Sequence, residues 1–178
     1  MFGLSPGEWQ ALRLSAFVGL AATLVVMPPA IILGRVIAVT SSRWKALLDT
    51  VLLLPLVLPP VVTGYGLLVL FGRRGPLGPA LDALGAPIVF TWKACVIASA
   101  VMAFPLAYRA CRIAFEQVDA RLPAVARTLG ASRIDSFFTV TLPLARAGIL
   151  SAMVLAFARS VGEFGATIVL AGNVEGET

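Results

Sequence analysis

The sequence predicts an all-α fold, a polytopic bundle of at least four transmembrane helices. Three observations carry that prediction. Only 13% of the 178 residues are charged, about half the roughly 25% that a soluble domain uses to cover its surface. Mean hydropathy is +0.95. The apolar residues also gather into four stretches, about 12–37, 47–71, 87–114 and 143–171. Each reaches the ~20 residues that a helix needs to cross about 30 Å of hydrocarbon, so the outer solvent is a lipid bilayer. A net charge of +5 and a pI of 10.0 do not point to nucleic acid. The basic residues cluster at the ends of apolar runs, without aromatic interleaving or a nucleic-acid motif. Histidine is absent, which removes the commonest acid–base group and metal ligand.

The first stretch reads as a retained span rather than a cleavable signal. Its apolar run is too long for a signal core, and Glu8 interrupts what would be a basic leader. Pro28 and Pro29 fall inside it. The second contains "LPLVLPPVVTGYG", with Pro55, Pro59, Pro60, Gly64 and Gly66 in close succession. Single prolines are tolerated in membrane helices, where neighbours satisfy the freed carbonyls. A span disturbed this often suits the wall of a pathway, where irregular backbone faces a cavity. Pro59, Pro60 and Gly64 are therefore candidate pathway or gate residues. The third span holds Pro105 and both cysteines, Cys95 and Cys111. Sixteen helical positions separate the cysteines by about 24 Å, too far for a bridge.

Arg35, Arg43 and Lys45 lie between the first two spans, and Arg109, Arg112, Arg121, Arg127 and Arg133 at or beyond the end of the third. The loop on the other side carries Arg73 and Arg74. The positive-inside rule then places the N-terminus outside and the 109–142 loop in the cytoplasm. Trp9, Trp44 and Trp92 fall at span edges, where amphipathic rings settle among headgroups. Lys93, beside Trp92, can snorkel outward.

The loop of about 115–142 is polar and tightly patterned. Asp119 is a helix N-cap, and Pro123 falls in the first turn, where its missing N–H is not needed. Leu122, Val125, Ala126 and Leu129 recur at helical spacing and make one apolar face. Gly130 supplies a left-handed stop. Ser132 and Asp135 form a capping box for a second helix, and Pro143 opens the next membrane helix. Helices are expected at 119–130 and about 133–140, outside the bilayer. Such a pair either lies on the membrane surface or plugs into a soluble partner.

In the last span Arg159 and Glu163 stand four residues apart. A lone charge in lipid costs a few kcal/mol or more, so such residues face the bundle, a cavity or each other. One reading is a self-neutralising pair near the outer interface. The other is a gate or lining element in which Arg159 attracts an oxyanion. Gly162 and Gly165 flank Glu163 and can break the helix there.

The run "AVARTLG" followed by "TLPL" resembles the cytoplasmic EAA loop of binding-protein-dependent ABC importer permeases. It departs from that loop at Ala124, where a glutamate that helps anchor the loop usually stands, and at Val125. "LLLPLVLPPVVTGYGLLVLFGRRGPLG" and "AFARSVGEFGATIVLAGNVEGET" are similar to the permease subunits of bacterial molybdate importers, and the resemblance runs from about Trp9 to Thr178. Relatives of that kind continue through at least one more span, so the resemblance implies that the family's C-terminal span is missing. It further implies a multi-pass protein of the bacterial inner membrane, with no cofactor of its own. Asp119, Leu122, Ala124, Val125, Ala126, Leu129, Gly130, Leu142 and Pro143 would then form the ATPase-coupling loop. The implied partners are an ABC ATPase subunit, a periplasmic molybdate-binding protein and a second copy completing a homodimer. No GxxxxGK[ST] loop occurs in the chain, so ATP chemistry would reside in another subunit. Sulfate and tungstate are alternative solutes of similar charge. A membrane-embedded lipid-modifying enzyme would need clustered carboxylates or a His or Cys base, whereas Asp49, Asp82, Asp119 and Asp135 fall in different loops.

Overall fold

In the computed structural model, which describes residues 5–173 and Thr178, the chain is helical and without strands among those residues. Helix α1 (Pro6–Val39) opens on a capping box between Ser5 and Glu8 and runs through Pro28 and Pro29. Helices α2 (Lys45–Val57) and α3 (Pro60–Phe71) follow, then the short α4 (Gly78–Ala83). Helix α5 (Trp92–Glu116) is the central rod, packed against α1, α2, α8 and α9. Helices α6 (Arg121–Thr128) and α7 (Arg133–Ser136) make the loop. A π-helical turn, Phe137–Thr141, leads into α8 (Leu142–Val161), and α9 (Gly165–Leu170) ends the described fold.

Among the described residues, three helical stretches are long and apolar enough to cross a membrane: Gly7–Val39, Trp92–Glu116 and Arg133–Val161. The stretch read from sequence as one kinked span, 47–71, is instead two helices that meet at 106°. Pro59 and Pro60 explain the corner. Neither can donate a backbone hydrogen bond, and each proline forces its predecessor out of helical geometry. With the bent pair counted as one span, the total is four.

The second loop helix and the last span are not separated at Pro143. Helix continues from Arg133 to Val161 through the π turn, where Leu142 N–H bonds back to Phe137 O. Widening this turn just before Pro143 gives its ring room against the preceding carbonyls, which a regular α-turn would not. The last span ends earlier than expected, because the helix breaks at Gly162–Phe164 before α9 begins.

Packing follows membrane logic. The fully buried positions of α5 include Ala98, Ala103, Ala107 and Cys111, while Leu20, Leu24, Val25 and Ile32 of α1 face outward. Lipid is as apolar as leucine, so helices associate through small residues that let backbones approach. At Gly34 a Cβ would lie 3.0 Å from Cys111 Cβ, so even alanine would make α1 and α5 give by a few tenths of an ångström. Both cysteines are buried and free. Trp9, Trp44 and Trp92 are exposed near the first turns of α1, α2 and α5.

Candidate functional site

Two candidate regions lie at opposite ends of α8, about 30 Å apart by its twenty residues. At the loop end, Asp119 Oδ1 accepts the Arg121 N–H at 2.9 Å and starts α6. The helix stops in a Schellman arrangement: Gly130 N–H reaches Arg127 O and Ala131 N–H reaches Ala126 O, both at 3.1 Å. Gly130 has φ +99°, which a β-branched residue avoids, while the space around it is open. Ser132 and Asp135 then cap α7 reciprocally, with Asp135 N–H on Ser132 Oγ at 3.1 Å and Ser132 N–H on Asp135 Oδ2 at 3.2 Å. The Ser136 hydroxyl donates to Pro123 O at 3.1 Å and locks the two helices together.

This local order leaves an apolar face without a partner among the described residues. Leu122, Val125 and Leu129 are 47%, 55% and 84% exposed, and Ile134 beside them is 69% exposed. Ala124 is exposed and Ala126 half-buried on the same helix. Leu142 is half-buried against the core, and Pro143 is exposed. Asp119 to Gly130 thus occupy one short corner, while Leu142 and Pro143 lie beyond the π turn at the start of α8.

At the far end, α3 lies against α9. A Cβ on Gly64 would fall 2.7 Å from Ala166 O and 2.9 Å from its Cα, and one on Gly165 would fall 2.8 Å from Pro60 Cβ. The corner at Pro59–Pro60 is therefore packed on the break that follows α8. Glu163 holds that break. Its Oε1 accepts the Ala166 N–H at 2.7 Å, and its Oε2 meets Arg159 Nη1 at 2.6 Å. Both carboxylate oxygens are occupied and the side chain is 1% exposed, whereas that of Arg159 is 24% exposed. Pro59, Pro60, Gly64, Arg159 and Glu163, scattered over a hundred residues of sequence, come together in one assembly. Beside it is a cavity of about 380 Å³ lined in part by Ser99, Ser160, Glu163 and Thr167. The hydroxyls of Ser99 and Ser160 are buried and have no partner among the described residues.

A third cluster escaped sequence reasoning. Tyr108, fully buried, donates its hydroxyl to Asp49 Oδ1 at 2.8 Å. Asp49 Oδ2 pairs with Arg112 Nη1 at 2.5 Å, and Arg112 Nε reaches Glu116 Oε1 at 2.9 Å. Lys45 joins Glu116 at 3.2 Å. The network fastens the start of α2 to the end of α5, from which the loop departs. The only local signal was the four-residue spacing of Arg112 and Glu116. Asp82, Asp119 and Asp135 stay on separate elements, and no group of three or more His, Cys, Asp or Glu among the described residues could hold a metal.

Residues 30–177 match the family model described as binding-protein-dependent transport system inner membrane component. The molybdenum transport system permease protein ModB of Escherichia coli (strain K12) is 53% identical over 176 residues, 98% of this chain and 77% of that protein. The protein of the same name from Haemophilus influenzae is 48% identical over 172 residues, 96% of this chain and 75% of its own. That from Azotobacter vinelandii is 38% identical over 176 residues, 98% of this chain and 78% of its own.

Proposed function

From the chain's membership of the binding-protein-dependent transport system inner membrane component family, we propose that it is the permease subunit of an ATP-driven importer that carries molybdate across the bacterial inner membrane. The relatives' names support the solute. The observation that carries the mechanism is the apolar face of α6, held rigidly outward with Val125 and Leu129 exposed. A contiguous apolar face without a partner marks a protein contact, and here the partner is a separate ABC ATPase subunit. Two copies of the chain enclose the path, and a periplasmic molybdate-binding protein delivers the anion.

Closure of the ATPase pulls on α6 and α7. Helix α7 continues through the π turn into α8, so it moves as one rod with the last span. Helix α5 leads directly to α6 and is fastened to α2 by Asp49, Tyr108, Arg112 and Glu116. Both routes end at α3 and α9, where the Pro59–Pro60 corner meets the Glu163 break. Alternating access follows from rocking these packed elements against the second copy. Coordinated motion through small-residue contacts such as Gly64 on Ala166 suits this task, because such a contact transmits displacement rather than absorbing it.

Reconstitution tests the reading. The chain, its ATPase and the loaded binding protein in proteoliposomes are expected to accumulate molybdate only when ATP hydrolysis proceeds. Accumulation of sulfate but not molybdate under the same conditions would reassign the solute, and ATP-independent uptake would refute the importer mechanism.

A further inference from the structure

We propose that the loop end of the bundle holds an anionic glycerophospholipid, its phosphodiester in a basic cavity beneath α6 and one acyl chain in the groove that continues from it along α1. The cavity has a volume of about 610 Å³, and Arg35, Arg127 and Arg133 line it. Among the described residues none of the three has a carboxylate partner. Glu116 also lines the cavity, with its Oε1 shared by Arg112 and Lys45. Ala124 shares the wall and brings no negative charge. Arg35 is half-buried, its guanidinium 5.9 Å from the centre of the Phe115 ring. Three cations thus converge on a space that the protein leaves unmatched.

The groove is a separate observation. It has a volume of about 630 Å³ and is bounded by α1 on one side and the π turn on the other, with Leu24, Ile32 and Phe138 among its walls. Its lining is apolar except at one end, where Arg35 and Phe137 belong to both the groove and the basic cavity. From Arg35 to Leu24 the helix rises about 16 Å, close to the roughly 15 Å of one leaflet of a bilayer core. An apolar slot one leaflet long that ends on a cluster of arginines matches one molecule: an acyl chain joined to a phosphate. Basic pockets between membrane helices on the cytoplasmic side bind such headgroups. This proposal does not depend on which solute is carried.

The test uses the permease purified with its ATPase, stripped of lipid in a neutral detergent and offered phosphatidylglycerol or phosphatidylcholine, with retention read by native mass spectrometry. Phosphatidylglycerol is expected to be retained selectively. Arg35→Gln and Arg133→Gln should each lower its retention about fivefold, the effect of one lost phosphate contact, and Arg35→Lys should largely preserve it. Ile32→Trp, which fills the slot without changing charge, should also expel the lipid while ATPase co-purification persists. Equal retention of both lipids would leave the arginines as topology signals only and overturn the proposal. So would displacement of phosphatidylglycerol by excess inorganic phosphate together with indifference to Ile32→Trp, which would make the cavity a free-oxyanion site. Disulfide crosslinking of Ile32→Cys to a second copy in the membrane would give the groove to protein instead of lipid.

Discussion

Replacing Arg159 by Met should harm the protein more than replacing its partner, Glu163, by Leu. The inequality comes from burial. Glu163 is 1% exposed and Arg159 is 24% exposed. Without Arg159, a carboxylate closed off from water keeps, among the described residues, the Ala166 N–H as its one partner. Breaking a buried pair so that one charge is stranded costs about 3–5 kcal/mol. Without Glu163, the guanidinium can turn to its exposed side, and the main loss is the cap on α9, about 0.5–2 kcal/mol. The difference of roughly 2–3 kcal/mol is a large share of the 5–15 kcal/mol that keeps a typical domain folded. The double variant Arg159→Met/Glu163→Leu leaves no stranded charge and should recover most of the loss of the first.

Membrane abundance and thermal stability of the purified variants in one detergent test this order. Glu163→Leu costing as much as Arg159→Met, or a double variant no better than Arg159→Met, would refute the burial argument. Uptake normalised to abundance separates the roles of the pair. If Arg159 also faces the anion path, the double variant should be present but slow in molybdate uptake. Normal uptake by that variant would confine the pair to holding the break.

Three further outcomes are expected. Gly130→Val meets open space but must adopt φ +99°, a strain of about 1–3 kcal/mol; ATPase co-purification should fall while membrane insertion persists, and Gly130→Asn, which tolerates the left-handed region, should retain assembly. Val125→Asp and Leu129→Asp change exposed positions, so the variants should be as stable as the parent yet fail to hold the ATPase in pull-down; intact pull-down would remove α6 from the docking surface. Gly64→Val collides with backbone atoms of Ala166 that cannot swing aside, which should cost about 1–3 kcal/mol and abolish uptake in assembled complexes; unimpaired uptake would show that α3 and α9 need not stay in contact.

What was legible in the sequence was whatever is encoded locally. Capping residues act within one turn, so Ser132 with Asp135 and the stop at Gly130 follow from residue type and spacing alone, whereas the cap position of α6 falls on Ala120, one residue after the expected Asp119. Proline chemistry is equally local and marked the disturbance at Pro59–Pro60, although not its size. A corner of 106° depends on what the second arm can pack against, and that partner, Ala166, lies a hundred residues away. The same gap explains the misplaced start of the last helix. Pro143 is an admissible first residue of a helix, and only the π turn before it, a matter of backbone spacing in three dimensions, lets the helix run through.

Charge pairing shows the limit most clearly. Arg159 and Glu163 stand four residues apart and could be paired from spacing alone, but spacing could not say which of the two is buried, or that Glu163 lies past the end of the helix. Asp49 carried no local signal, because its partners Tyr108 and Arg112 arrive from another helix 59 and 63 positions along the chain. Removing Asp49 would leave the start of α2 tied to the end of α5 through Lys45 and Glu116 alone, and α2 leads to the Pro59–Pro60 corner. The loop proposed to meet the ATPase and the corner that meets α9 are therefore joined by a contact that neither motif reveals. In a bundle whose helices touch mainly through alanine and glycine, such a polar tie is directional where the rest of the packing is not. It restrains sliding of α2 along α5, which small-residue packing alone resists weakly.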